Sequence, residues 1–171
     1  MKNKVYYSYI KTCILQTVNL PKNLENHTYN AESVCAWNLL IEKYNQVFGE
    51  ELPFVSFISS GKPIIENGYI SISHSNGVVA VCFSKTTQTG VDIELIKTDI
   101  PKKTAEFLGV KNPPDFYKKW TERESVIKAK NYSALKKGVE NEFVGITKEI
   151  LVDGKLFSLS VYGDNAEFIK V

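Results

Sequence analysis

The sequence predicts an α+β fold in which strand-rich segments alternate with two long helices. Three observations support this class: helical spacing of apolar residues over 30–48, strict alternation over 69–75, and an aromatic content of 12%. The order strand–helix–strands occurs twice in 171 residues, which indicates two small halves that meet near residues 85–90. No internal repeat is visible in the sequence, and the order does not suit a doubly wound sheet.

The chain is predicted to open with a strand and a long helix. Residues 4–18 alternate loosely and are rich in Val, Tyr and Ile, which favours a strand. In 30–48 the apolar residues recur every three or four positions, as on the buried face of an amphipathic helix. Asn30 is expected to be the N-cap of this helix, and Gly49 is expected to end it.

A β-hairpin is the sharpest local signal in the sequence. Residues 69–75, YISISHS, alternate strictly and are followed by Asn76-Gly77 and the run VVAVCFS. Asn-Gly between two strand-like runs is typical of a tight hairpin turn. A further turn and the run VDIELI then predict a third strand over 91–96.

The second half is predicted to repeat the order of helices and strands. Residues 100–110 form a short helix candidate, and 115–131 are predicted to form the second long helix. Two or three strands are expected in 143–171, with a turn at Asp153-Gly154.

Charge and composition limit the classes of function. The net charge of +2 excludes a uniformly basic coat for nucleic acid, yet 97–137 alone holds 11 basic and 5 acidic residues. This window is either a solvated lysine-rich face or a surface for an anionic ligand or an acidic partner. Three scattered cysteines without a C-x-x-C motif indicate reduced thiols, and the N-terminus has no signal-peptide pattern, so a cytoplasmic protein without a membrane span is expected.

Two carboxylates stand two positions apart in the predicted third strand. Asp92 and Glu94 would share one face of that strand, whereas Val91, Ile93 and Leu95 would share the opposite, buried face. Paired carboxylates repel each other unless a cation neutralises them, and Mg²⁺ prefers such oxygen ligands. The alternative is an ordinary solvated strand face.

The second long helix contains W-T-E-R-E-S-V-I-K at 120–128. Glu124 and Lys128 lie one helical turn apart and could join Asp92 and Glu94 around one metal and a phosphate. The alternative is structural, because Thr121-x-x-Glu124 also matches a capping box and Glu124–Lys128 an ordinary helix ion pair.

Two further short motifs are weak when taken alone. Ser73-His74-Ser75 could place His74 next to a phosphate at a strand end, although a lone half-buried histidine is more often structural. Gly61-Lys62-Pro63 is a basic turn of a common kind. The sequence contains no G-x-S-x-G, Walker A or G-x-G-x-x-G motif.

The order of these four motifs resembles that of the 4'-phosphopantetheinyl transferase superfamily, in the branch that modifies carrier domains of synthetases and synthases. G-K-P, S-I-S-H-S, G-V-D-I-E and W-T-E-R-E-S-V-I-K follow one another over about residues 60–130. The resemblance implies two similar α/β halves, 1–85 and 86–171, related by a pseudo-twofold axis. Each half would be a small, mainly antiparallel sheet packed on a long helix, with coenzyme A in the cleft between them.

The resemblance also implies an activity. The enzyme would transfer the phosphopantetheine arm of coenzyme A to a serine of an acyl or peptidyl carrier protein, releasing adenosine 3',5'-bisphosphate. Asp92, Glu94 and Glu124 match the Mg²⁺ ligands, and Glu124 also matches the base near the attacking hydroxyl. Lys128 matches the lysine that contacts the pyrophosphate. A cytoplasmic monomer that binds neither nucleic acid nor membrane is expected.

The resemblance extends to the coenzyme A contacts, and the sequence differs from the family pattern at Arg123. Lys62, Ser73 and His74 match positions that hold coenzyme A phosphates. Arg123 stands where the family usually has lysine, and its position on the helix suggests that it reaches the edge of the coenzyme A site or the carrier protein.

Two other functions remain open at this stage. Helix 30–48 lacks the basic residues that often hold the 3'-phosphate, which would suit a non-catalytic relative that binds coenzyme A or a carrier protein. Without the resemblance, the carboxylates would also suit a Mg²⁺-dependent phosphate-ester hydrolase, although no residue that activates water can be identified.

Overall fold

The computed structural model describes residues 3–9, 24, 30–134, 136–163 and 165–171, and this part of the chain has a mixed α/β fold. The helices are α1 Ala31–Phe48, α2 Lys102–Leu108, α3 Pro113–Lys130 and a 3-10 helix at Val139–Glu142. The strands are β1 Asn3–Tyr9, β2 Ser56–Phe57, β3 Pro63–Ile64, β4 Tyr69–Ser75, β5 Val78–Ser84, β6 Gly90–Leu95, β7 Gly145–Val152, β8 Lys155–Tyr162 and β9 Ala166–Lys170.

The strands form two main sheets and one small ribbon. The first sheet has the order β4-β5-β1-β9, and the second has the order β6-β8-β7. Neighbouring strands are antiparallel in both, except that β9 runs parallel to β1. The last strand of the chain therefore completes the sheet that the first strand began, and the division of the chain at residue 85 stays a prediction.

Strand β5 lies at the centre of the molecule and is buried on both faces. One set of its alternate side chains packs against α1 in the first hydrophobic core: Val79, Val81 and Phe83. The other set packs against β6 and β8 in the second core: Val78, Ala80 and Cys82. Because successive side chains of a strand point to opposite faces, β5 contributes to both cores. A third cluster lies between α2 and α3.

The predicted helix signals are confirmed with one shift. Asn30 caps α1 through a capping box with Ser33, and Gly49 ends the helix in the left-handed conformation. Helix α3 begins at Pro113, two residues before the predicted start, because Asn112 caps it and prolines are tolerated in a first turn that needs no N–H partners.

The predicted turns are also confirmed. Asn76 and Gly77 both have positive φ between β4 and β5, as do Asp153 and Gly154 between β7 and β8. Of the strand predicted over 4–18, residues 4–9 lie in β1, and residues 10–18 lie outside the described part of the chain.

The cysteines depart from the prediction of reduced thiols. Cys35 is disulfide-bonded, so that prediction is wrong at this position. Cys82 has a free thiol buried in β5 beside Thr89, and burial raises its pKa to about 12. Among the described residues, no helix is long and apolar enough to cross a membrane.

Gly90 allows β6 to begin directly beneath α3. A Cβ atom at this position would lie 2.0 Å from the carbonyl oxygen of Ser125 and 2.7 Å from the backbone nitrogen of Ala129. No real contact is that short, so a side chain at residue 90 would push the helix away from the strand that carries the Asp92 and Glu94 carboxylates.

Gly90→Ala is therefore expected to lower the free energy of unfolding by about 3 kcal/mol or more, at the upper end of the usual cost of overpacking. Gly49→Ala is the control: its Cβ meets no atom within 4 Å, and only the left-handed conformation at φ +70° costs about 1 kcal/mol. Urea denaturation of both variants measures the difference. Equal losses would contradict the close approach of α3.

Candidate active site

A line of serine hydroxyls joins the two main sheets. Strands β4 and β6 lie side by side in parallel, but they belong to different sheets and share no backbone ladder. Alternate backbone N–H groups of β6 instead donate to serine side chains of β4, at 3.0, 3.2 and 3.4 Å: Val91 to Ser71, Ile93 to Ser73 and Leu95 to Ser75. We call these three serines the serine seam.

The serine seam also holds both carboxylates of β6. Ser73 Oγ donates to Asp92 Oδ1 at 3.0 Å, and Ser75 Oγ donates to Glu94 Oε2 at 2.8 Å. Asp92 is only 4% exposed, and its Oδ2 atom is buried without a hydrogen-bond partner. The two carboxylates therefore do not lie on a solvated strand face, and that alternative is wrong.

Helix α3 places Lys128 and Glu124 over the same carboxylates. Lys128 Nζ lies 2.6 Å from Asp92 Oδ1 and 2.9 Å from Ser73 Oγ. The capping-box alternative is wrong, because Thr121 lies in the middle of α3 and its hydroxyl donates to the Tyr117 carbonyl. Lys128 forms its short ion pair with Asp92 of the neighbouring strand β6 and not with a residue of its own helix.

Most of the predicted site residues line one open cavity of about 620 Å³. Six of them share it: Ser73, His74, Asp92, Glu94, Glu124 and Lys128. Aromatic side chains, among them Trp37 of α1 and Trp120 of α3, form part of the wall. Four elements that are distant in sequence therefore contribute to a single polar cleft with an apolar side.

The electrostatic environment of the cavity disfavours additional negative charge. Burial raises the pKa of the Glu94 carboxyl, although its hydrogen bond from Ser75 acts in the opposite direction. Burial and then the charge of Asp92 raise the pKa of Glu124, and the nearby Lys128 opposes this shift. The three acids are thus close enough to interact, and a cation or a proton would relieve their repulsion.

Glu32 is a site residue that the sequence analysis missed. It lies in the first turn of α1, and its Oε2 atom is 2.8 Å from His74 Nδ1. Its Oε1 atom accepts a 2.6 Å hydrogen bond from the backbone N–H of Gly77 in the hairpin turn. No spacing rule connects residues 42 positions apart, so only the acidic residue in a first helical turn could have drawn attention to it.

Lys62 is the one predicted site residue whose ammonium group is directed elsewhere. Its Nζ donates to the carbonyl oxygen of Ala129 near the end of α3, and burial lowers its pKa. It lines two neighbouring cavities, whereas Gly61 and Pro63 beside it line the cavity with the carboxylates. The turn thus borders the cleft while the lysine side chain braces α3.

The expected position of Arg123 at the edge of the site is wrong. Its side chain is 2% exposed, and Nη2 donates to the carbonyl oxygens of Ala134 and Lys136, both at 2.8 Å. The guanidinium group also lies 5.2 Å from the centre of the Phe107 ring of α2. Arg123 therefore holds the segment after α3 in place, because its face of the helix points away from the cavity.

The site has the type of donor atom that Mg²⁺ prefers, but the side chains are not arranged around a common metal position. Carboxylate oxygens are the ligands that Mg²⁺ prefers, and the buried, unpartnered Oδ2 of Asp92 is available for a cation. As they stand, no three acidic, histidine or cysteine side chains of the described residues form a group that could hold a metal ion. Lys128 is instead the cation next to Asp92.

Comparison with known proteins finds no family model and no curated protein that matches the chain. Any assignment of function therefore depends on the motifs and on the geometry of this cleft.

Ser73→Ala should damage the cleft as well as the fold. It leaves the Ile93 N–H without its acceptor and Asp92 without its donor, and we expect a loss of about 1–3 kcal/mol in the free energy of unfolding. Ser71→Ala is the matched control, because it removes an equivalent bond from Val91 that does not involve a carboxylate. Urea denaturation should show a larger loss for Ser73→Ala than for Ser71→Ala, and isothermal titration with Mg²⁺ should show weaker binding for Ser73→Ala alone. Equal Mg²⁺ affinities would argue against the role of Ser73 at Asp92.

Glu124→Gln is expected to stabilise the metal-free protein at neutral pH. The raised pKa means that the fold favours the protonated carboxyl, so this stabilisation is complete below the ordinary pKa and is lost as the pH rises through the raised value. Removing the charge should add on the order of 1 kcal/mol at pH 7.5, as is common at functional sites, and little at pH 4. Urea denaturation in EDTA at both pH values measures this.

Asp92→Asn is the control for that experiment. Asp92 accepts from Lys128 and Ser73, so the same loss of charge should destabilise the protein at pH 7.5. A gain for Glu124→Gln that is equally large at both pH values would contradict the electrostatic explanation.

Proposed function

We propose that the protein is a Mg²⁺-dependent phosphopantetheinyl transferase, which moves the phosphopantetheine arm of coenzyme A to a serine of an acyl or peptidyl carrier protein. The observation that supports this proposal is the meeting of separate motifs in one cleft. S-I-S-H-S, G-V-D-I-E and the helix motif lie on β4, β6 and α3, and all three contribute side chains to the same cavity.

The reaction requires charge neutralisation and in-line placement more than a nucleophilic residue of the enzyme. The carrier serine oxygen forms a bond to the phosphorus that bears the pantetheine arm. The bond from that phosphorus to the bridging oxygen breaks, and adenosine 3',5'-bisphosphate leaves. The serine proton passes to Glu124, the proposed general base beside the attacking hydroxyl.

Lys128 and His74 are proposed to hold the phosphates of coenzyme A. Lys128, which pairs with Asp92, would turn toward the pyrophosphate and stabilise the negative charge that develops on it during transfer. Asp92, Glu94 and Glu124 would hold Mg²⁺, which when bound neutralises the pyrophosphate. Their oxygen donors and the unpartnered Asp92 Oδ2 support this ligand set. Ser73 positions Asp92, and Lys62 is proposed to act at the rim of the site through its turn.

We propose that the enzyme has two halves, 1–85 and 86–171, related by a pseudo-twofold axis. Two 18-residue helices, α1 and α3, support this, since each packs on one of the main antiparallel sheets. The basic window 97–137 is proposed to face the acidic carrier protein, and Lys102, Lys103 and Lys118 are exposed there. We propose a cytoplasmic monomer.

Intact mass spectrometry tests the proposed activity. Incubation of a carrier protein with this protein, coenzyme A and Mg²⁺ should add the mass of one phosphopantetheine arm. Lys128→Ala should lower the rate by about 10²-fold, as the loss of one charge-stabilising group typically does. Glu122→Gln is the matched control: Glu122 accepts from Thr147 and does not line the cleft, so the rate should not change.

Two results would contradict the proposal. A carrier protein that never gains mass, although the enzyme binds coenzyme A, would favour the non-catalytic alternative. Release of phosphate from a phosphate ester in the absence of a carrier protein would favour the hydrolase. Equal rates for Lys128→Ala and Glu122→Gln would remove Lys128 from the mechanism.

A further inference from the structure

Glu32 connects the start of α1 to the end of the β4–β5 hairpin through both of its carboxylate oxygens. One oxygen lies 2.8 Å from His74 Nδ1, and the other accepts from the Gly77 N–H at 2.6 Å. Both Glu32 and His74 are about 30% exposed, with side-chain values of 27% and 33%. The contact is therefore partly open to solvent, and His74 is one of the residues that line the cleft.

Helix capping does not explain these contacts. The N-terminus of α1 already has a complete capping box, in which Asn30 accepts from the Ser33 N–H and Ser33 accepts from the Asn30 N–H. An acidic residue in the first turn stabilises the helix dipole without any directed contact. Glu32 instead reaches across to another element and uses each oxygen for a different donor.

The two donors determine how the histidine ring is held. The backbone N–H of Gly77 can only donate, so Glu32 Oε1 accepts from it. Glu32 Oε2 is also an acceptor, so its partner, His74 Nδ1, must carry a proton. The second ring nitrogen, Nε2, is left for another partner, and His74 lines the cleft together with Asp92 and Lys128. A hydrogen bond at one ring nitrogen thus decides which nitrogen is offered to a ligand.

We infer that Glu32 is a positioning residue for His74, which fixes Nδ1 as the protonated nitrogen and presents Nε2 to a phosphate oxygen of the bound donor. This inference rests on the proposed function for the identity of the donor, coenzyme A. When the phosphate binds, the ring carries protons on both nitrogens, with Glu32 and the phosphate as the two acceptors and the second proton taken up from water.

Glu32→Gln is an isosteric test of this arrangement. The amide oxygen can still accept from Gly77, but the amide NH₂ can only donate and so faces Nδ1 with a donor. The neutral ring should then lose its Nδ1 proton and carry the proton on Nε2. Glu42→Gln is the control, because Glu42 lies on the same helix and, within the described part of the chain, its carboxylate accepts from Lys43 and Gln46.

Long-range ¹H–¹⁵N NMR of the ring nitrogens measures the proton positions without any ligand. The chain has two histidines, and His74→Gln assigns the signal. We expect the Nδ1–H form in the wild type and in Glu42→Gln, and the Nε2–H form in Glu32→Gln. The Nε2–H form in the wild type would overturn the inference, whatever the activity of the protein.

Titration with coenzyme A then tests the phosphate contact. In the wild type the bound ring should become doubly protonated, and Glu32→Gln should bind coenzyme A about 10-fold more weakly, while its rate at saturating coenzyme A stays within about twofold. A loss of rate at saturation without a loss of affinity would overturn the positioning role. If the wild type does not bind coenzyme A, the proposed function fails, and the ligand-free spectra still decide whether Glu32 holds His74.

Discussion

The cleft depends on the replacement of a backbone ladder by serine side chains between β4 and β6. A direct ladder would bring the two strands together and leave no room for side chains between the sheets. The serine seam keeps every second N–H of β6 satisfied while holding the strands further apart. Ser73 and Ser75 use their remaining hydrogen-bonding capacity to hold Asp92 and Glu94, so the contact that joins the sheets also positions the acids.

Charge repulsion in this cleft is balanced from the second long helix. Three acids share a half-buried space with Lys128, and burial raises the pKa of two of them. Such an arrangement is unfavourable in the free protein, and a bound cation can relieve the repulsion. Thr121 lies on the same side of α3 and contacts the hydroxyls of Ser158 and Ser160 in β8, so the helix is also fixed against the second sheet.

Two positively charged residues of α3, five positions apart in sequence, have different surroundings. Lys128 faces the cleft, whereas Arg123 is buried against backbone carbonyls and the Phe107 ring. The helical rotation between the two positions directs their side chains to different sides of α3. At the buried position a guanidinium group can donate to several carbonyl oxygens in a confined space, which a lysine cannot do as well. The arginine thus stabilises the segment that follows α3, whereas the lysine is directed into the cleft.

The sequence by itself determined the local elements and the residue types of the site. Apolar periodicity and turn residues defined α1, the hairpin at Asn76-Gly77 and the order of the strands, because these depend on neighbouring residues. Alternation also placed Asp92 and Glu94 on one strand face. Only the tertiary structure decided that Lys128 pairs with Asp92, that Lys62 and Arg123 turn away, and that Glu32 holds His74. The contacts of Lys128, Glu32 and Lys62 join residues 36 or more positions apart, and the position of Arg123 depends on which side of α3 is buried. The packing of whole helices and strands determines these contacts and the buried side of α3.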